Sequence, residues 1–415
     1  MASLQPVRGT HDILPEQERR HRLVQETAHD VASRYGFDEI SLPIFEFTEV
    51  FARSIGETSD IVSKEMYTFS DRGDESITLR PEGTAGVARA FISNGLAQHL
   101  PLKFFYRGPM FRYERPQKGR QRQFHQVGVE LLGVDQPQAD VDIIALGAHV
   151  LEALNISDKA TLELNTLGDP ESRIAYREIL VAYLRQYESS LSDDSRIRLE
   201  KNPLRILDSK NKEDRKIVQD APTIFDSLND ASKDFFKTVC QGMDALKIPY
   251  TVNPHLVRGL DYYGHTAFEF TTDALGAQGA LIAGGRYDGL IKQMGGPPTP
   301  GIGWAAGVER LAMMVNEPDA QNKPIAIVPV GDGQKERAQL IAHQLRHAGF
   351  SIELGYSGNM RKRLNRANKL NACAAIILGE DELAKGVAAV RDMATGDQQE
   401  VSLESLADSL ARYRS

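Results

Sequence analysis

Residues 104–133 read FFYRGPMFRYERPQKGRQRQFHQVGVELLG, a pattern that predicts two strands flanking a basic loop. Side chains alternate across a strand, so Met110, Arg112 and Glu114 share one face and Phe111 and Tyr113 take the other. On the return strand Phe124, Gln126, Gly128 and Glu130 share a face, opposite His125, Val127, Val129 and Leu131. One side of the hairpin then carries an arginine, a glutamine and two carboxylates. The loop carries Arg115, Lys118, Arg120 and Arg122 and no acid. This suits a polar pocket floor beside a flap for a polyanion. An antiparallel hairpin with one wet face and a solvated loop fits the same pattern, so alternation alone leaves the choice open.

Composition narrows the class. A chain of 415 residues suggests two or three domains. A formal net charge of −8 argues against a surface coated for nucleic acid, so RNA contact must use local basic patches. Cys240 and Cys373 lie far apart, which excludes a disulfide framework and gives no metal spacing. His343 and His347 sit at helical spacing without the Glu of a zinc-protease motif, so no metal site is expected there. The opening MASLQPVRGTHDILPEQE lacks an apolar core and no run reaches about 18 apolar residues, so a cytoplasmic protein without membrane association is expected.

A helix is expected over residues 16–35, burying Leu23, Ala28, Val31 and Ala32, then a strand over 38–47 interrupted at Pro43. Residues 140–154 read as a helix and 160–167 as a strand. From about 170 to 250 the sequence turns charged and helix-rich, which reads as a helical insertion between parts of one sheet. Strand-like runs return at 256–270 and 280–282, before a turn-rich loop at 295–301. Residues 317–324, with two prolines, read as the linker. Beyond it, strands at 325–330, 351–354 and 372–378 alternate with helices at 335–347 and 360–370, predicting a small parallel or mixed α/β domain.

No Walker A pattern occurs, and no Gly-x-Gly-x-x-Gly opens a helix after a strand, so any nucleotide is held without a P-loop. Residues 301–311, GIGWAAGVERL, offer another route. Small residues let a planar ligand approach a strand, and Gly307 leads into a helix whose first turn carries Arg310, where a phosphate can meet the helix's positive end. A glycine-softened strand packing on a helix is the plainer reading. Residues 256–264, LVRGLDYYG, and 283–289, AGGRYDG, bring tyrosines beside acids. A strand end with a hydrogen-bonded aromatic pair is the plainer reading; two phenols plus acids can also bond both nitrogens of an imidazole, and such a site would reject apolar look-alikes.

In order, these segments resemble the class II aminoacyl-tRNA synthetases, in the form of the histidyl-tRNA synthetases. Arg112-Tyr113-Glu114-Arg115, the loop, and Gln123-Phe124-His125-Gln126 resemble motif 2. The helix and strand of 16–47 resemble motif 1, the dimer-forming element, and 301–311 resemble motif 3. Residues 256–264 and 283–289 resemble the two histidine-specific motifs. The resemblance covers essentially the whole chain. It implies an α+β catalytic core over 1–323, built on an antiparallel class II sheet with a helical insertion, and a C-terminal α/β anticodon-binding domain over 324–415.

Carried over residue by residue, the resemblance implies that Glu82, Gly83 and Thr84, with Gln126 and Glu130, bind histidine and its ammonium. Arg112 and Arg258 are the catalytic pair, flanking the α-phosphate and the attacking carboxylate. Arg258 stands where other class II enzymes place a further metal ion. Tyr262 and Tyr263 face the substrate side chain. ATP is held by Arg112, by Arg120 and Arg310 on the outer phosphates, and by Phe124 under the adenine, with Mg2+ assisting. The implied partners are L-histidine, ATP, tRNA(His) and a second copy of the chain. Arg115 and Gln117 are implied at the acceptor end of a tRNA bearing an extra 5′ guanosine. In 360–369, MRKRLNRANK, Arg361, Lys362, Arg363, Arg366 and Lys369 fall largely on one helix side, and Arg361 and Arg366 are the candidate tRNA-backbone contacts. The chain departs from the usual pattern at Trp304, where motif 3 normally holds a smaller residue.

Two competitors remain. A non-catalytic paralogue from histidine biosynthesis would lack the histidine motifs and the tail domain. A tRNA-sensing regulatory module would lose the catalytic arginines and sit beside a kinase. Neither description fits these residues.

Overall fold

The structure is a computed structural model that describes residues 4–55, 61–258, 262–276, 279–316, 323–331 and 333–414, the Ser63 side chain excepted. Two compact units divide the chain, Met1–Glu317 and Pro318–Ser415.

The first unit opens with helix α1 (Pro15–Arg34), which has proline at its first position and Glu16 and Glu18 in its first turn, where acids oppose the helix dipole. Gly36, at φ +79°, stops it. The single strand expected over 38–47 is in fact two. β1 (Asp38–Glu39) pairs in parallel with the large sheet, and β2 (Phe45–Phe47) joins a small sheet with β3 (Tyr67–Ser70) and β4 (Ser76–Leu79). Pro43 lies between them, in the coil where the chain changes sheets after the last bond to β5, from Ile40 N to Phe105 O.

After helix α2 (Thr84–Ser93) come β5 (Leu102–Phe111) and β6 (Gln123–Leu132). Helix α3 (Pro137–Ala153) and β7 (Thr161–Thr166) precede four helices: α4 (Pro170–Arg185), α5 (Asp193–Lys201), α6 (Lys212–Gln219) and α7 (Asp230–Ala245). Each of the four starts at a side-chain cap, Asp169, Ser192, Asn211 or Asn229, whose oxygen accepts a first-turn N–H. The chain re-enters the sheet through β8 (Thr251–Val252), β9 (Gly264–Thr271), β10 (Ala280–Arg286) and β11 (Gly301–Gly307), then helix α8 (Val308–Met314).

The eight strands run β1-β5-β6-β11-β10-β9-β7-β8, antiparallel throughout the centre and parallel only at the two edges. One face packs under α1, α3 and α7. Val127, Val129 and Leu131 of β6 lie in that core with Val24, Ile143 and Val239. Trp304 is there too: it is buried, its indole N–H donates to Ile143 O at 3.1 Å, and it points away from the opposite, polar face. Arg286 is fully buried against Asp140 and the Val134 carbonyl, tying β10 to α3. Of the run expected as strand over 256–270, residues 256–258 are coil and β9 begins only at Gly264. Gly259, Leu260 and Asp261 of LVRGLDYYG, and most of the 317–324 linker, lie outside the described residues.

The second unit holds β12 (Ile325–Pro329), helix α9 (Lys335–His347), β13 (Ile352–Leu354), helix α10 (Met360–Lys369) and β14 (Ala374–Leu378). β15 (Val387–Asp392) and β16 (Gln398–Ser402) complete its sheet. Its sheet runs β13-β12-β14-β15-β16, with β13, β12 and β14 parallel and the last two strands antiparallel, the mixed form of the expected α/β domain. β15 and β16 are additions to the three strands read from the sequence.

Candidate active site

The exposed face of the central strands carries a cleft of about 230 Å³, lined among others by Glu82, Thr84, Arg112, Gln126, Arg258 and Arg310. At its floor Glu82 sits at the N-terminus of α2 and accepts the N–H groups of Thr84 at 2.6 Å and Ala85 at 2.8 Å. Thr84 Oγ1 donates to Glu130 Oε1 at 2.6 Å, and Tyr287 donates its hydroxyl to the other oxygen. Glu130 is 1% exposed. Burial pushes its carboxyl up to about 8, against two hydrogen bonds that favour the ionised form, and burial likewise lifts the Glu82 carboxyl above its ordinary value. Glycines make room for this arrangement. A Cβ on Gly303 would overlap the Glu130 carboxylate, and one on Gly83 or Gly128 would overlap the Tyr106 ring. Gly83 therefore serves the Tyr106 slot, and it is not among the residues lining the cleft.

Tyr262 and Tyr263 form one wall, their ring centroids 4.6 Å apart, with Tyr287 at 5.8 Å from Tyr262. Burial raises all three phenol pKa values, so the hydroxyls stay protonated. Arg258 pairs with Glu269 and stands 5.5 Å from the Tyr263 ring. Three buried polar atoms of these walls, Gln126 Oε1, Arg258 Nε and Tyr262 OH, have no hydrogen-bond partner among the described residues. Buried polar atoms left so are costly unless something else satisfies them.

Cations fill the other end. Arg112 donates from Nε to Pro81 O at 2.8 Å and lies 5.3 Å from the Phe124 ring. Arg120 and Arg112 approach Glu114 at 3.0 and 3.9 Å. Arg310, in the first turn of α8, donates to Ala280 O at 2.7 Å and Gly119 O at 3.3 Å. Burial, then the nearness of Arg120 and Arg112, lowers its pKa from the usual arginine value. Three guanidinium groups this close suit a polyanion.

The hairpin face expected from alternation needs one correction. β5 ends at Phe111, so Arg112 and Glu114 belong to the loop, where Arg112 N bonds Arg122 O and Glu114 N turns back onto Arg112 O. Both still reach the cleft. Further out, Gln117 and Arg120 exchange backbone hydrogen bonds at 3.0 and 2.9 Å, and Arg115, Gln117 and Lys118 are exposed. Among the described residues His21, His125 and Glu309 bring possible ligand atoms within 4.8 Å of one another. Glu309 there accepts the His125 backbone N–H at 2.9 Å and faces its Nδ1 at 2.9 Å, and Arg20 and Lys118 line the same cavity. The group reads as a clasp between β6 and α8.

A family model described as histidyl-tRNA synthetase matches residues 9–171 and 177–311, and one described as anticodon binding domain matches residues 324–413. The histidine–tRNA ligase of Rhodospirillum rubrum is 60% identical over 414 residues, covering 100% of both chains. That of Gluconacetobacter diazotrophicus is 56% identical over 411 residues, covering 99% of each. The crystal structure of apo S. aureus histidyl-tRNA synthetase superposes with a TM-score of 0.83 at 36% identity, covering 98% of this chain and 99% of that one.

The chain belongs to the histidyl-tRNA synthetase family.

Within this histidyl-tRNA synthetase fold, the unit matched by the anticodon-binding model has a smaller basic face than the sequence implied. Arg363 is buried in α10 and donates to Pro329 O, so it holds the helix to β12. Arg361 is exposed, and Arg366 is paired with Glu353 at 2.8 Å. Some residues in or directly behind the synthetase cleft carried no role in the sequence reading. Tyr287 lay in a quoted motif, AGGRYDG, which was the available signal. Glu269 gave none, because its partner Arg258 reaches it only through the fold.

Proposed function

We propose that this cleft is where the chain activates L-histidine with ATP to histidyl-adenylate and then loads the histidyl group onto tRNA(His). The observation that carries the assignment is the pairing of two environments. A buried acid and tyrosine pocket, with Gln126 Oε1, Tyr262 OH and Arg258 Nε unpartnered among the described residues, adjoins a cluster of Arg112, Arg120 and Arg310.

In this reading Glu130, Glu82 and Thr84, with Gln126, take the histidine ammonium, and Tyr262 and Tyr263 take the imidazole. Arg112 and Arg258 hold the histidine carboxylate against the α-phosphate. A carboxylate oxygen attacks the α-phosphorus, the bond to the β-phosphate oxygen breaks, and pyrophosphate leaves. The 3′-terminal hydroxyl of the tRNA then attacks the carbonyl carbon and AMP departs. The protein contributes position and charge, with no covalent nucleophile. Phe124 supplies a face for adenine, and Arg120 and Arg310 hold the outer phosphates. Mg2+ fits as a passenger on the triphosphate: Glu114, beside Arg112 and Arg120, is a carboxylate lining that end of the cleft, and the ion would neutralise phosphate charge when bound.

Arg115 and Gln117 in the exposed loop meet the acceptor end of the tRNA, and Arg361 and Arg366 meet its backbone. The small sheet exposes Phe45, Phe47 and Phe69, an apolar surface suited to the second subunit of a homodimer, which sedimentation equilibrium tests. No described helix is long and apolar enough to cross a membrane, and we assign the chain to the cytoplasm. Exchange of labelled pyrophosphate into ATP that requires histidine and no tRNA supports the reading, and a folded preparation without such exchange overturns it.

A further inference from the structure

The four-helix segment after residue 170 reaches the cleft at two points. Arg205, in the turn that follows α5, donates from Nη1 to the backbone carbonyl of Arg258 at 3.1 Å. Arg173, in the first turn of α4, donates from Nη1 to the carbonyl of Tyr263 at 2.5 Å. Both recipients line the cleft with their side chains, while their carbonyls are turned outward to the helices. Arg258 lies in coil ahead of β9, so no strand ladder holds its backbone there. The same residue sends its side chain to Glu269, and its buried Nε has no hydrogen-bond partner among the described residues. Each donor is half-buried, where a charged hydrogen bond is stronger than one in open water.

We propose that Arg205 and Arg173 are positioning residues, through which the helical segment sets where Arg258 and Tyr263 stand against histidine. The inference rests on the cleft assignment above and goes beyond it, since neither arginine touches the cleft. A guanidinium gripping a carbonyl fixes the backbone without occupying the ligand's space. Losing that grip lets the Arg258 and Tyr263 side chains drift, and a displacement of about 1 Å at a reacting group costs on the order of 10²-fold in rate. ATP contacts through Arg112, Arg120 and Arg310 come from other elements and stay in place.

The test compares Arg205→Gln, Arg205→Lys and Arg173→Gln in the full-length chain by histidine-dependent pyrophosphate exchange. Arg205→Gln and Arg173→Gln should lower kcat/KM for histidine by about 10–10²-fold. KM for ATP should stay within about twofold, and Arg205→Lys, which keeps one charged donor, should recover part of the loss. Unchanged histidine parameters, or equal losses for histidine and ATP without recovery by lysine, overturn the proposal. Arg258→Ala is run beside them as the control for the cleft itself. If that variant keeps full exchange, the cleft assignment has failed. If it is impaired while the positioning variants behave like wild type, only the positioning role has failed.

Discussion

Glu130→Gln isolates the buried carboxylate just beneath the floor of the cleft. The carboxyl is enclosed by Thr84 and Tyr287 and titrates at about 8 in the empty protein, because burial outweighs both hydrogen bonds. At pH 7 roughly nine molecules in ten therefore hold a proton there, and ionising the group costs about 1.4 kcal/mol per pH unit below its pKa. A cationic ammonium binds the ionised form, so histidine binding at pH 7 should expel close to one proton. Titration calorimetry in buffers of differing ionisation enthalpy reads that number directly. Glu130→Gln keeps the shape and loses the charge. It should release no proton from this site and bind histidine more weakly by about 2–5 kcal/mol, the range for losing one partner of a buried charged pair. Stability gives an independent check. A carboxyl raised on folding contributes stability at low pH that is lost as pH rises toward the folded value, so wild type should lose up to about 1.4 kcal/mol per unit from this group between about pH 4.5 and 8. The variant should lack that loss, and its advantage should stop growing above pH 8. Wild-type binding without proton release at pH 7, or the same release in a binding-competent Glu130→Gln, would refute the reasoning.

Replacing Arg258 by Ala should slow adenylate formation by about 10²–10³-fold in single-turnover measurements while weakening histidine binding much less; collapsed affinity with an intact rate would assign it the wrong role. Arg115→Ala or Gln117→Ala should cost roughly 1–3 kcal/mol in charging tRNA with the extra 5′ guanosine and little with tRNA lacking it; equal losses on both would mean the loop only neutralises backbone charge. Ending the chain after Glu317, the boundary between the two units, should spare pyrophosphate exchange and cripple tRNA charging, and undiminished charging would leave the exposed Arg361 as ordinary surface.

Much of this site was legible because strand alternation survives folding. Val127, Val129 and Leu131 went to the core, while Phe124 and Gln126 line the pocket and Glu130 meets Thr84 beneath it, as the period of two requires. Alternation failed where the strand stopped: nothing local marks Phe111 as the last paired residue, since the bond from Arg112 N to Arg122 O depends on the whole loop. Pro43 announced an interruption but not that the chain would change sheets there, because the partners of β1 and β2 come from distant segments. Arg363 looked like its basic neighbours in the helix. Only the neighbouring strand, which offers it the Pro329 carbonyl, turns it inward. Trp304 put local packing in doubt by its size, yet its place on β11 points it at Ile143 and the core on the other face.

The most direct test is a crystal structure with a non-hydrolysable histidyl-adenylate analogue. The account predicts its ammonium within hydrogen-bond distance of Glu130, about 2.7–3.2 Å, its imidazole against Tyr262 and Tyr263, and its phosphate surrogate between Arg112 and Arg258. An analogue bound with the imidazole toward Phe124, or outside the cleft between β5 and β9, would contradict it.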